Sequence, residues 1–454
     1  MPDWPILRTI MSRRIFSKTI LALGLILSAF SASAQEGEYG SYAPYSIFGV
    51  GNLAGNTSAY AVSMAGAGIA SRNASYINTL NPASVTARDS LAFMVDFSLY
   101  NKNTIFDQTA GGEKMRSASN VTNMGAMAIS FPLFRNTAMM VGLSPYSSAG
   151  YKYSFLEEDP ILIAKNGNIA YSDYGQGSLY KVFAAVGTTF RRKLSLGAEL
   201  DYYFGNFEKI YSESFAKSGY NQVQDTYDMS LNAVGAKFGI QYEFNAGNKW
   251  KVGIGATYEL DSRLKGMVDY THLAVGSVEN VTVLAQSDTL SKSSPVRLAG
   301  EIGFGLSVSN GERFRANLDY TLSDWSRTGI DSKGGFSVNT SELPFVAGKR
   351  HSIKGGVEYT PNRNDIRYYT NRISYRAGAY YNNEYYKVAG NEIHNFGITL
   401  GATLPIYQWR NGLTVALDLG QRGTTDNALV RERYFRISIG VNLADIWFRR
   451  FQYE

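Results

Sequence analysis

Residues 194–203, LSLGAELDYY, put Leu194, Leu196, Ala198, Leu200 and Tyr202 on one parity and Ser195, Gly197, Glu199, Asp201 and Tyr203 on the other. This period of two recurs along most of the chain and marks β-strands with two unlike faces. Residues 90–100 set Leu91, Phe93, Val95, Phe97 and Leu99 against Ser90, Ala92, Met94, Asp96 and Ser98. Residues 234–244, 250–260, 296–306, 314–322, 413–419 and 435–443 repeat the pattern. One face is bulky and apolar; the other carries Gly, Ser, Thr and charge. A soluble sandwich would pack the apolar faces together and turn the charge to water. A membrane barrel turns the apolar face to lipid and the polar face to its lumen.

Three features favour the barrel. The alternation predicts strands near 89–101, 119–134, 136–148, 177–191, 193–205, 226–245, 249–261, 293–309, 312–327, 349–361, 370–382, 392–408, 410–421 and 431–446. That is an even number, as single-chain bacterial barrels have. Short turns alternate with long connections at 102–118, 149–176, 206–225, 262–292 and 328–348, while 361–369 breaks the short series and 383–391 and 422–430 are shorter long ones. The halves LKGMVDYTHLAV and ENVTVLAQSDTL of 262–292 read as a β-hairpin standing above the membrane. Finally, Phe134, Phe190, Phe244, Trp250, Phe314, Tyr407, Trp409 and Trp447 lie beside short turns or the C-terminus. Rings gathered at one end suit the headgroup level of a bilayer. Lipid cannot satisfy an open sheet edge, so the last strand should pair with the first.

Residues 1–34 read as an export signal. Arg13, Arg14 and Lys18 precede the apolar run 20–30, and Ala32-Ser33-Ala34 offers a cleavage site before Gln35. Met11 is a second candidate start, and the absence of Cys at 35 speaks against a lipid anchor. The run is too short to cross a bilayer as a helix, and no apolar run of spanning length follows it. Arg8, Arg13, Arg14 and Lys18 against Asp3 supply half of the net charge of +6. The remaining excess is spread along the chain, so nucleic acid is not an expected partner. With no cysteine and 3 histidines far apart in sequence, a metal cluster or disulfide framework has little to draw on, and no cofactor is implied.

Residues 35–88 do not alternate, and GNTSAYAVSMAGAGIASRNASYINTLNPAS is rich in Gly, Ala, Ser and Asn. A disordered tail has this composition. Yet Tyr45, Ile47, Phe48, Val50, Leu53, Tyr60, Met64 and Ile69 call for burial. A fourteen-stranded lumen is too wide for wall side chains alone to fill, so a small plug inside it would bury them.

The stretch SMAGAGIA at 63–70, with Gly66 and Gly68, followed by Asn81-Pro82-Ala83 and the first strand, resembles the hatch of the FadL family of outer-membrane long-chain fatty-acid and hydrocarbon transporters. VGLSPY at 141–146, LDYTLSDWS at 318–326 and YRAGAYY at 375–381 are similar to later strands of that family, in the same order. GQRGTTDNALVRERYFRISIG at 420–440 resembles a Bacteroidota branch of it. The resemblance spans 40–446. It implies an all-β fold: a fourteen-stranded antiparallel transmembrane barrel, 89–454, plugged by an N-terminal hatch, 35–88. It also implies a location in the outer membrane of a Gram-negative bacterium, capture of small hydrophobic ligands from outside, and sideways release into the surrounding lipid at a kinked third strand. Asn81, Pro82 and Ala83 would then hold the hatch, with Gly142 and Pro145 at the opening. Physically, a proline removes a ladder donor and belongs at a bulge or a gap; the alternative is that Pro145 lies above the bilayer. The connection 206–225 departs from the family in being polar, which sets aside a greasy landing site there.

The polar faces carry Asp96, Glu199, Asp201, Glu243, Glu259, Glu301, Asp319, Glu358 and Asp418 against Lys237, Lys251, Arg297, Arg315, Lys354, Arg376 and Arg436. Such a balanced set reads as an ion-pair network bracing barrel and plug. The other reading, an ion-selective path, would want one sign in excess. A barrel hydrolase would need Ser and His at a common point. His394 shares the parity of Phe396, Ile398 and Leu400 and so faces lipid, His351 starts a strand and His272 lies in a loop, so no enzyme is expected. Two roles remain: passive passage of small hydrophobic molecules, or a non-transporting barrel that docks other proteins in a larger outer-membrane export or assembly complex.

Overall fold

The computed structural model describes residues 42–446 except 56, 89–91, 111, 158, 192, 218, 276–279, 291–294, 312, 338–344 and 408–410. The segments of period two become the wall. In chain order its strands are β1 Ala92–Ala110, β2 Glu113–Phe134, β3 Thr137–Leu156, β4 Ile169–Phe190, β5 Leu194–Phe215, β6 Gln222–Ala246 and β7 Trp250–Glu259. They continue with β8 Glu301–Asn310, β9 Phe314–Asp324, β10 Lys349–Tyr359, β11 Ser374–Val388, β12 Asn391–Tyr407, β13 Asn411–Arg422 and β14 Val430–Ile446. Each pairs antiparallel with the next, and β14 returns to β1 from Ala92↔Ile446 to Gln108↔Val430. The result is a closed fourteen-stranded antiparallel barrel, the solution lipid demands of a sheet.

The two faces of each strand separate as the alternation predicts. Leu200 and Val234 are at least three-fifths exposed, whereas Glu199 and Asp201 are buried. Phe134, Phe190, Phe244 and Trp250 are exposed beside short turns, with Trp250 edge-on to Phe314. Trp409 and Trp447 fall outside the described residues, as does the side chain of Tyr407.

The wall rises further than the sequence pattern implies. β1 and β2 run on through what reads as the loop 102–118, β3 and β4 extend into 149–176 around a short helix Pro160–Asn166, and β5 and β6 extend into 206–225. Their outward face is largely polar or mixed, as in YSESF at the end of β5, so the clean alternation that betrays a strand fades there, although Tyr151 and Phe207 are buried on the inward face. In 262–292, Lys265–Val275 and Asn280–Thr289 form the expected hairpin, which pairs with the upper half of β6 from Lys265↔Asn232 to Val275↔Gln222. The segment 293–309 is shorter than its pattern: Arg297–Leu298 pairs with Ser262–Arg263 outside the wall, and β8 starts at Glu301.

Residues 42–87 pack against the inward face of the wall. They hold a 3-10 turn Pro44–Ile47, a two-residue strand Asn52–Leu53, a helix Ala59–Ser63 capped by Ser58, and a 3-10 helix Pro82–Ala87. Tyr45, Ile47, Phe48 and Val50 join Tyr151, Leu179, Tyr203, Trp325, Phe336, Tyr385 and Tyr386 in one buried cluster. A lower cluster gathers Ile77 and Val85 with Met94, Met140, Phe183 and Ala185 of the wall.

Candidate functional site

Asn81 ties the inner segment to the wall. Its side chain is buried and caps the Pro82–Ala87 turn by accepting from Ala83 N at 3.0 Å. Its Nδ2 donates to the carbonyls of Ile69 (2.9 Å), Ile240 on β6 (3.2 Å) and Ala256 on β7 (3.4 Å). Pro82 suits the first position of the turn, where no backbone donor is needed. The wall makes room with glycine: a Cβ on Gly239 would stand 1.9 Å from Asn81 Oδ1, and one on Gly197 would stand 2.3 Å from the Pro82 carbonyl carbon. Ala83 is wholly buried. Gly66 follows the short helix, donates to Ala61 O at 2.7 Å and lies beside Lys354. Asp319 on β9 accepts from Gly68 N at 2.6 Å and Ile69 N at 2.9 Å, so one carboxylate clasps two consecutive backbone donors.

Higher up, residues 43–51 are held through their carbonyls. Lys209 Nζ donates to Ile47 O at 2.8 Å, and the Tyr385 hydroxyl reaches Phe48 O at 3.0 Å and Gly51 O at 2.7 Å. Sequence reasoning missed Lys209 and Tyr385. Both lie where strands run past the alternating zone, and their targets are main-chain atoms that leave no compositional trace.

The polar residues divide into separate clusters rather than one ring. Lys181 bridges Glu199 (3.0 Å) and Asp201 (3.3 Å). Arg376 meets Glu358 at 2.7 Å, donates to Thr403 Oγ1 at 2.7 Å and lies 4.2 Å above the Tyr60 ring. Arg315 donates to Ser71 Oγ at 3.1 Å, and Arg350 meets Glu301 at 3.2 Å. Arg422 meets Glu384 at 3.1 Å and Glu432 at 3.6 Å. Arg297 is a correction to the sequence reading: it is exposed on the short outer strand, because the chain is irregular between Leu298 and Glu301 and the parity count from Glu301 back to Arg297 fails. A cavity of about 170 Å³ between inner segment and wall is of mixed character, lined by Lys102, Lys354, Asp418, Arg422 and Arg436 together with Leu53, Val62 and Ala65. An apolar hollow of about 590 Å³ lies instead on the outward face, between Ile240, Phe304, Leu306, Leu318 and Ile353.

The three histidines sit apart. His394 is 3.0 Å from the Tyr381 hydroxyl, His351 is 2.8 Å from the Tyr320 hydroxyl, and His272 is 2.5 Å from Asp225.

The seam between β2 and β3 is incomplete. Their pairing runs from Phe134↔Thr137 to Met127↔Leu143 and stops. β3 continues beside β4 to Leu156↔Ala170, with a bulge at Tyr146 just after Pro145. Gly142 stands at the top of the paired part, opposite Ala128, with the Phe183 ring packed over its inner side. Above it, β3 takes the inner segment as its partner: Leu53↔Ser147, Asn52↔Ser148, Ala54 N to Tyr146 O at 2.8 Å and Ala43 N to Gly150 O at 2.7 Å. Gly51 makes this possible at φ +82, since a Cβ there would stand 2.4 Å from Ser148 O. On β2, residues 114–122 pair with β1 alone among the described residues.

A family model described as BamG matches residues 16–454. The chain belongs to the BamG family. No curated protein matches it. Among solved structures, the toluene transporter TodX of P. putida aligns at TM-score 0.58 and 13% identity, over 88% of this chain and 100% of that one. The CymD monoaromatic hydrocarbon channel aligns at 0.57 and 14%, over 87% and 99%. The toluene transporter TbuX of Ralstonia pickettii aligns at 0.53 and 13%, over 86% and 98%. At such identities the likeness is one of fold: this BamG-family chain has the barrel architecture of the FadL-type hydrocarbon channels, traced through nearly their whole length.

Proposed function

We propose that this BamG-family chain stands in the outer membrane of a Gram-negative bacterium and passes small hydrophobic molecules inward by diffusion. In this reading residues 42–87 act as a hatch, and the β2–β3 seam is the exit toward the bilayer. The observation that carries the reading is the early end of β2–β3 pairing at Met127↔Leu143, beside Pro145. Hydrocarbon cannot satisfy an open strand edge, so such a break in a lipid-facing wall needs a reason. The similarity to hydrocarbon channels supports a compact apolar cargo. The polar upper part of β5 and β6 offers no greasy landing surface for a long-chain fatty acid.

The chain has no native cysteine, so the hatch can be locked cleanly. Leu53 and Ser147 are Cα partners, and cross-strand neighbours about 4.5–5.5 Å apart suit a disulfide. Leu53→Cys/Ser147→Cys, oxidised, is expected to cut toluene uptake into proteoliposomes at least several-fold, with recovery on reduction. Uptake that is equal in the oxidised and reduced forms would remove the hatch from the path.

A second reading, a non-transporting docking subunit of a larger outer-membrane assembly, is favoured by a different observation. The outward side chains Asn101, Asn103, Asn120 and Thr122 hydrogen-bond to one another at the upper β1–β2 wall, where Asn101 and Asn103 stand opposite Ile437 and Phe435 of β14. A polar patch at the β1–β2 seam, beside the stretch of β2 that pairs with β1 alone among the described residues, suits a protein neighbour, whereas β14 next to it keeps an apolar column continuous with Leu417 and Leu419 of β13. The charged side chains that line the cavity inside the wall point the same way.

A further inference from the structure

On β14 the outward column reads Leu443, Val441, Ile439, Ile437 and Phe435, then Arg433 and Arg431. From Leu443 to Phe435 the strand climbs about 26 Å along its own axis at ~3.3 Å per residue. Tilted by ~35–45°, it rises roughly 20 Å, close to the ~25 Å apolar band of such barrels. Arg433 and Arg431 therefore leave the band at its upper edge, away from the end where Ala92 and Ile446 pair.

Three guanidinium groups meet a single carboxylate there. Asp107 on β1 is the register partner of both Arg431 on β14 and Arg116 on β2. Arg116 Nε lies 2.7 Å from Asp107 Oδ1, while Arg433 Nη2 and Arg431 Nη2 lie 2.8 Å and 3.3 Å from Oδ2. One negative charge cannot neutralise three positive ones, and Lys114, exposed on the same face of β2 opposite Thr109, adds a fourth. The arginine side chains are 67%, 44% and 35% exposed for Arg116, Arg433 and Arg431, so each keeps part of its guanidinium surface open beyond its contact with Asp107. Asp107 fixes the fan of arginines without satisfying it. A planar guanidinium fork fits the oxygens of a phosphate better than any other biological anion except a carboxylate.

We propose that Arg116, Arg431 and Arg433 form a binding site for the phosphate of a phosphorylated outer-leaflet lipid, whose acyl chains lie down the Phe435–Ile437–Ile439 column. The proposal rests on the barrel standing in a bilayer and is independent of whether anything passes through the lumen. Free inorganic phosphate shares the recognition chemistry, but it has no use for the apolar column below the arginines.

The test uses the full mature chain, purified in a non-ionic detergent. Retention of diphosphoryl lipid A, of the same lipid enzymatically dephosphorylated, and of inorganic phosphate is compared by native mass spectrometry. The wild-type chain should hold the phosphorylated lipid at least about ten-fold more tightly than the dephosphorylated form, as lost charge-assisted contacts imply. Arg116→Gln/Arg431→Gln/Arg433→Gln should erase that difference while keeping the heat-modifiable mobility of a folded barrel. Arg433→Lys, which keeps the charge, should retain most of the binding. If the triple variant fails to fold, Arg433→Glu at a half-exposed position carries the test and should lose binding by a similar factor. Equal retention of both lipids, or an unaltered folded variant, overturns the proposal. So does displacement of the lipid by inorganic phosphate at equal concentration, which would assign the site to the free anion.

Discussion

Arg376 and Glu358 are both almost wholly buried and stand 2.7 Å apart. Such a pair contributes little net stability, yet removing one partner strands a charge at a cost of about 3–5 kcal/mol. Arg376→Met alone is therefore expected to lower the urea midpoint of refolding sharply, and Arg376→Met/Glu358→Met should recover at least half the loss. A double variant no better than the single one would mean that Arg376 works through Thr403 and Tyr60 instead. The Asn81-Pro82-Ala83 motif was legible in the sequence through its resemblance to a family hatch, and the structure gives it a local basis, a capping Asn before Pro. That Asn81 also binds carbonyls of β6 and β7 was not, because it depends on wall residues 159 and 175 positions away. Arg297 shows the opposite error: a parity count carried through an irregular stretch places a residue on a face that it does not occupy.

At the scale of elements, alternation located every wall strand but stopped short where the outward face turns polar or mixed and the contrast between the faces is lost. The upper halves of β1–β6 and the pairing of Asn52–Leu53 with β3 lie in that blind zone. The gap above Met127↔Leu143 could be expected from Pro145 alone, since its missing donor and the bulge at Tyr146 interrupt a regular ladder. The connection 360–373, by contrast, is ordered by a carboxylate. Asp365 accepts from Asn371 Nδ2 at 2.6 Å, Arg367 N at 2.8 Å and Tyr368 N at 2.9 Å. The Asn371 hydrogen bond, helped by the backbone donors, holds its carboxyl below the usual range. A depressed carboxyl stabilises its turn above the unfolded value and loses that contribution as pH falls through the folded one. Hydrogen-exchange protection of 366–372, taken against the intrinsic rate at each pH, should therefore fall below about pH 4, the ordinary carboxyl range. In Asp365→Asn, protection should be low at every pH. Identical pH profiles in the two proteins would remove the carboxylate from the account.

For the molecule as a whole, the question is what the inner segment does for the wall. The lumen side is built around it: Gly197, Gly239, Gly255 and Gly356 each have segment atoms where a Cβ would be, and Asp319 Oδ2 accepts from both Gly68 and Ile69. Wall closure from β14 to β1 does not involve residues 40–83, because the ladder from Ala92↔Ile446 to Gln108↔Val430 is wall against wall. Deleting 40–83 should therefore leave a closed barrel with an open, water-filled interior, less stable than the parent but still heat-modifiable on a gel. Its exposed inner surface carries both signs of charge, so the channel should pass small sugars and salts with weak selectivity. The expected result in planar bilayers is a steady conductance absent from the full chain, together with faster swelling of proteoliposomes in arabinose. A folded deletion variant as tight as the parent would mean that the wall itself closes the lumen. The hatch reading would then fail, while the β2–β3 seam and the arginine fan on the outer rim would still stand to be explained by a protein or lipid neighbour.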